Sequence, residues 1–116
     1  LELPEGIIEI AIEEALNMPA PPNLIRFHIH THGSADPQGR HLLKGTPEEA
    51  LRSFETLFKI SVRRDNSPIV TDRCGRTITG FFNPSGSVAH FLQAVLQPAD
   101  LQLQHRGTFL QVQTRE

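Results

Sequence analysis

At 116 residues and 13.0 kDa the chain can bury one core and not two, and 38% hydrophobic with 21% charged residues places it among globular rather than disordered sequences. No stretch approaches the run of about 18 apolar residues that a membrane span needs, and the single cysteine, Cys74, excludes an internal disulfide and any CxxC zinc or redox motif. Five of the 13 acids stand in residues 1–18 with no base among them, so the remaining eight face all 11 bases and the body carries a net +3.

These figures set the first expectations. A lone thiol points to an intracellular setting, cytoplasmic or nuclear. A pI near 6.3 and seven aromatics, all phenylalanine, argue against a general nucleic-acid surface. Nine of the 11 bases are arginine, the side chain whose planar fork grips carboxylates or phosphates, which favours an interface. A chain opening on Leu1 is expected to be a domain of a larger protein.

In residues 1–18, Pro4 sits at a first helical position, and Ile7, Ile8, Ala11, Ile12, Ala15 and Leu16 share one helix face opposite Glu5, Glu9 and Glu13. The run PAPPN at 19–23 stops that helix and reads as a short, stiff linker, leaving 24–116 as a single α+β domain. The helix either covers a sheet, the commoner use of such a face, or docks on a partner.

LIRFHIHTH, residues 24–32, alternates Ile25, Phe27 and Ile29 against Arg26, His28, His30 and His32, the pattern of a strand. Gly33 through Gly45 reads as loop, and Thr46 with Pro47 and Glu49 forms a capping box that opens a helix over about 47–56. TLFKISVRR then alternates as a second strand, closed by turn residues 65–68. PIVT, a turn at 72–76 and TITGFF predict two short strands in hairpin order. Val88, Phe91, Leu92, Val95 and Leu96 stand at helical spacing behind Ser85 or Ser87 as cap, and Pro98 ends the run. Last, Leu101 and Leu103 face Leu110 and Val112 across an Arg106–Gly107 turn, with Gln102, Gln104, Gln111 and Gln113 on the other face. The expected fold is therefore α+β: a mainly antiparallel, possibly mixed, sheet of about six strands with two or three helices on one face.

Three histidines at i, i+2 and i+4 of a strand put neighbouring imidazoles about 7 Å apart on one face. His28, His30 and His32, with Asp36 or His41 from the next loop, form a candidate set for zinc or another divalent ion. Arg26 on the same face would repel a cation, which favours a solvated or partner-facing sheet and no cofactor. HIHTH resembles the signature of the histidine-triad nucleotide hydrolases, in which His30 would be the nucleophile, although there most of the domain precedes the motif. HIH is similar to the metal pair of rolling-circle and relaxase endonucleases, whose tyrosine nucleophile has no counterpart here. His28, His30, Thr31, Ser34 and Asp36, followed by TPEEAL, resemble the opening motif of the polymerase-and-histidinol-phosphatase phosphoesterases. That family's next strand ends in an aspartate–histidine pair, which TLFKISVRRDN lacks, and the likeness spans about 25 of the 116 residues.

Neither GxxxxGK[ST] nor GxGxxG occurs. Cys74, between Arg73 and Arg76, would be reactive if those charges lowered its pKa, but no general base is tied to it by spacing. The expected function is that of a non-enzymatic interaction module, binding a protein partner through its sheet face or edge and forming a homodimer. Its binding residues would be Arg26, Arg63, Arg64, Arg73 and Arg76. The alternative is a metal-dependent phosphoester or nucleotide hydrolase built on the histidine strand.

Overall fold

The computed structural model describes residues 5–21, 24, 41–83 and 86–115. The expected strand at 25–32 and the first part of the expected loop lie outside the described residues. Leu24, at the head of that segment, is buried and helical, its N–H donating to the carbonyl of Pro21 at 3.0 Å.

Helix α1 spans Glu5–Asn17. Ile12 and Ala15 are buried, and Ile8 and Leu16 pack against the core, whereas Ile7 and Ile10 are 50% and 56% exposed. The buried stripe is thus narrower than the apolar spacing predicts: Ile7 and Ala11 fall outside it. The chain leaving α1 is held down by backbone. Ala20 N–H donates to Gly86 O at 3.1 Å and Val88 N–H to Met18 O at 2.9 Å.

Strand β1, His41–Gly45, lies where a loop is expected. It pairs antiparallel with β3, Ile78–Phe82, from His41↔Phe82 to Gly45↔Ile78. Between them, α2 spans Pro47–Phe58 and starts as its capping box predicts, with Thr46 Oγ1 accepting from Glu49 N–H. Lys59 ends α2 in the left-handed region, φ 56°, and gives its N–H to Glu55 O. The strand expected over 56–64 therefore shrinks to β2, Val62–Arg64, because Leu57 and Phe58 complete the helix.

The PIVT segment is also corrected, from strand to helix. Helix α3 spans Pro68–Cys74, with Ser67 as N-cap, Pro68 in the first turn and Val70 and Cys74 buried. No hairpin joins it to β3, whose partner is β1. Helix α4, Val88–Leu96, is capped by Ser87 and buries Val88, Phe91, Leu92, Val95 and Leu96. Pro98 falls in a 3-10 turn, Gln97–Ala99, and Asp100 at φ 56° redirects the chain into β4, Leu101–Arg106.

The C-terminal hairpin forms as expected: β4 pairs antiparallel with β5, Phe109–Thr114, Leu103 opposite Val112. Gly107, at φ 60°, takes the positive φ that a tight two-residue turn requires. β2 adds in parallel to β5, Val62 beside Leu110 and Arg64 beside Val112.

The architecture is α+β, but the single sheet of about six strands is replaced, among the described residues, by a two-stranded sheet, β1–β3, and a mixed three-stranded sheet ordered β2–β5–β4, with four α-helices. One continuous core joins them: Leu43 and Phe82 from the first sheet, Val62, Leu110 and Val112 from the second, and Phe54, Phe91 and Leu92 from the helices between. Phe82 and Phe91 meet edge to face, 5.4 Å between ring centroids.

Candidate functional site

Alternation along β2, β4 and β5 sorts their side chains onto two faces. Val62, Leu101, Leu110 and Val112 turn inward and are buried. The other face carries Arg63 from β2, Phe109, Gln111 and Gln113 from β5, and Gln102, Gln104 and Arg106 from β4. The register sets these groups beside one another, Arg63 with Gln111, Gln111 with Gln104, Gln113 with Gln102 and Phe109 with Arg106.

Two contacts order this face. The Arg63 guanidinium lies 3.9 Å from the centroid of the Phe109 ring, a stacked cation–π pair. Arg106 Nη2 donates to Gln104 Oε1 at 2.9 Å and to Gln113 Oε1 at 3.2 Å, and so links the two strands of the hairpin. Arg63 and Arg106 are exposed, Phe109 and the glutamines half-buried. Among the described residues the face holds two cations and no carboxylate, and its amides both donate and accept.

Arg64, next along β2, points the opposite way into an ion-pair cluster. Its Nε donates to Glu48 Oε2 at 3.2 Å, Nη2 to Glu48 Oε1 at 3.0 Å and Nη1 to Glu55 Oε1 at 2.9 Å. The second Glu55 oxygen accepts from Val62 N–H at 3.2 Å, and Arg52 Nε reaches Glu48 Oε1 at 3.3 Å. Burial alone would pull the Arg64 guanidinium down, but the hydrogen bonds and charges of Glu48 and Glu55 outweigh it and hold the group above its ordinary value. The cluster fastens α2 to β2. It walls a hollow of about 310 Å³ together with Arg52, Thr71, Cys74 and Gly75.

Cys74 is buried, with 3% of its surface exposed. Burial pushes its thiol up, the Glu48 charge adds to the rise, and Arg64 offsets it only in part. The activation that Arg73 and Arg76 would bring is not found, because Arg76 pairs with Asp72 and Arg73 Nη1 reaches Asp100 O at 3.4 Å.

The four described arginines of the predicted binding set thus occupy three places. Arg73 and Arg76 share a hollow of about 220 Å³ with Thr77, Pro98 and Asp100. Arg63 stands on the outer sheet face, and Arg64 is committed to Glu48 and Glu55. Arg26, His28, His30, His32 and Asp36 lie outside the described residues; His41 opens β1. Among the described residues no group of three histidine, cysteine, aspartate or glutamate side chains could hold a metal ion, and no helix is long and apolar enough to cross a membrane. Sequence reasoning singled out the four glutamines but passed over Phe109 and Arg106. Both were within reach of the same period-2 alternation, which puts Phe109 on the side of Gln111 and Gln113.

Compared with protein-family models, with curated proteins and with solved structures, the chain finds no match in any of the three.

Proposed function

We propose that the chain is a non-enzymatic interaction module that binds a carboxylate-bearing protein surface through the outer face of the β2–β5–β4 sheet. The observation that carries this reading is the ordered, carboxylate-free face itself. Arg63 is already stacked on Phe109 and Arg106 is already shared by Gln104 and Gln113, so little side-chain entropy is left to lose on association. Arginine and aromatic side chains are also the residue types that carry the largest share of binding energy at protein interfaces.

A second copy of the chain meets the chemical requirement. Glu9, Glu13 and Glu14 are exposed on α1, and a two-fold exchange would set the acidic helix of each protomer against the cationic face of the other. Self-association is therefore the form to test first, by sedimentation velocity from about 1 to 100 µM at low and high salt, a range that reaches micromolar affinities. The expected result is a dimer that weakens with salt and is lost in Arg63→Glu or Arg106→Glu. A monomer throughout that range would remove the homodimer, and a salt-insensitive dimer unaffected by either variant would remove this face.

A further inference from the structure

Beneath the hairpin, on the opposite side from the outer face, lies a hollow of about 420 Å³, larger than either of the two described above. It opens between the last turn of α1, one side of α4 and the inner side of β4. Leu96, Leu101 and Leu110, all buried, line it, and the partly buried Leu16 and Leu103 also contribute. The volume falls within the roughly 300–1,000 Å³ of ordinary small-molecule sites, and the lining is mixed, Ala89 and five leucines standing beside three glutamines, His105 and Arg115.

Its charge is one-sided. Among the described residues no carboxylate lines it, and Arg115 is its one permanently charged side chain. The root of Arg115 is anchored, its backbone N–H donating to Asp100 O at 3.1 Å. Its guanidinium, in contrast to those of Arg64, Arg76 and Arg106, makes no hydrogen bond or ion pair among the described residues. Gln93 and Gln97 add amides that can donate to an oxygen anion, and the His105 ring Nε2 is 2.7 Å from Gly107 O.

We infer that this hollow binds a small amphipathic monocarboxylate, its apolar body against the leucines and its carboxylate on the Arg115 guanidinium. A planar fork with no partner among the described residues, beside leucines and with no acid among the described lining residues, is complementary to one negative oxygen pair on a hydrocarbon stem. The body supplies most of the affinity, because each methylene removed from water tightens binding about fourfold until the space is filled. The exposed head group supplies less: a surface ion pair accounts for about a 1.5-fold to fivefold change.

The test is a titration of the whole chain, followed by backbone amide NMR shifts, with sodium hexanoate, octanoate and decanoate below their micelle concentrations and with 1-octanol as the uncharged control. The expected result is saturable shifts confined to α4, the end of α1 and β4, and affinity rising with chain length. Arg115→Gln should weaken octanoate about 1.5-fold to fivefold and leave octanol unchanged. Gln93→Trp, at an exposed position of α4, should block the hollow and abolish both while thermal unfolding stays in place. Equal binding of octanol and octanoate would overturn the carboxylate assignment. Non-saturating shifts scattered over the surface, or full binding by Gln93→Trp, would overturn the site.

Discussion

The Arg64 guanidinium meets the Glu48 carboxylate through two parallel hydrogen bonds, Nε to Oε2 at 3.2 Å and Nη2 to Oε1 at 3.0 Å. This is the fork geometry that only arginine can supply, and its third nitrogen is left for Glu55. A single side chain on a three-residue strand therefore binds two acids of α2 seven positions apart, Glu48 and Glu55.

Removing that side chain leaves two half-buried carboxylates without their shared cation. Arg64→Ala is expected to cost about 1–3 kcal/mol in urea unfolding, and Arg64→Lys to recover only part of it, because an ammonium cannot bind both carboxylates in this geometry. Loss of less than about 0.5 kcal/mol, the usual scale of a solvated ion pair, would show that the cluster is merely solvated charge.

Gly80 lies where β3 runs under α4. A Cβ there would stand 2.8 Å from the Ala94 carbonyl oxygen and 3.4 Å from Pro98 Cγ. The nearer atom is helix backbone and cannot swing away, so Gly80→Ala forces β3 and α4 apart. The expected cost is about 1–3 kcal/mol, with the β3–α4 amides the first to lose hydrogen-exchange protection. An unchanged denaturation midpoint would show that the two elements are not in this close contact.

Cys74 predicts a pH dependence with a definite sign. Its folded-state pKa is raised by burial and by Glu48, so the folded chain holds the thiol proton more tightly than the unfolded chain does. The corresponding stability is present in full below the unfolded thiol value of about 8.5 and is lost as pH climbs from there through the raised folded value. The stability difference between the native chain and Cys74→Ala should therefore be constant from pH 6 to 8 and shrink above about pH 9. A difference that grows with pH would reverse the assignment. Reaction of the thiol with a disulfide reagent at neutral pH should require local opening.

Ser67 is the hinge of the segment that changed class. Its side chain accepts from Ile69 N–H at 3.3 Å and starts α3. Ser67→Ala is expected to destabilise the chain by about 1 kcal/mol, and Ser67→Asp to be neutral or stabilising. If Ser67→Ala and Ser67→Asp unfold alike, the cap does not hold this helix.

Where local pattern and tertiary need agree, the elements are visible in the residues alone. Thr46 to Glu49 announces α2, the 88–96 spacing announces α4, and the alternation about Gly107 announces the hairpin. The failures have physical causes. In 67–74 the start signal Ser67–Pro68 is present, but Ile69, Val70 and Thr71 are β-branched and read as a strand; in the fold the Ser67 cap and the burial of Val70 and Cys74 prevail over that preference. In 57–61 the alternation is real, yet Lys59 takes a left-handed conformation with no glycine to signal it. Strand β1 has no period of its own and exists because β3 pairs with it. The binding arginines were read as one set because sequence shows charge but not partner: Glu48 and Glu55 claim Arg64 from 16 and nine positions away. The outer glutamine face needed only the hairpin register and was the most legible part of the candidate site.

The parallel alignment of β2 on β5 has a consequence for the order of assembly. A strand of three residues cannot persist alone, and its only described neighbour, 109–114, follows every other described strand in the sequence. During synthesis, α1, α2, α3 and the β1–β3 pair can all be complete while Val62 still lacks the Leu110 that covers it. The chain therefore passes through a state with an open apolar seam on the nascent molecule. Closure waits for residues 101–114 and comes when the hairpin docks onto β2.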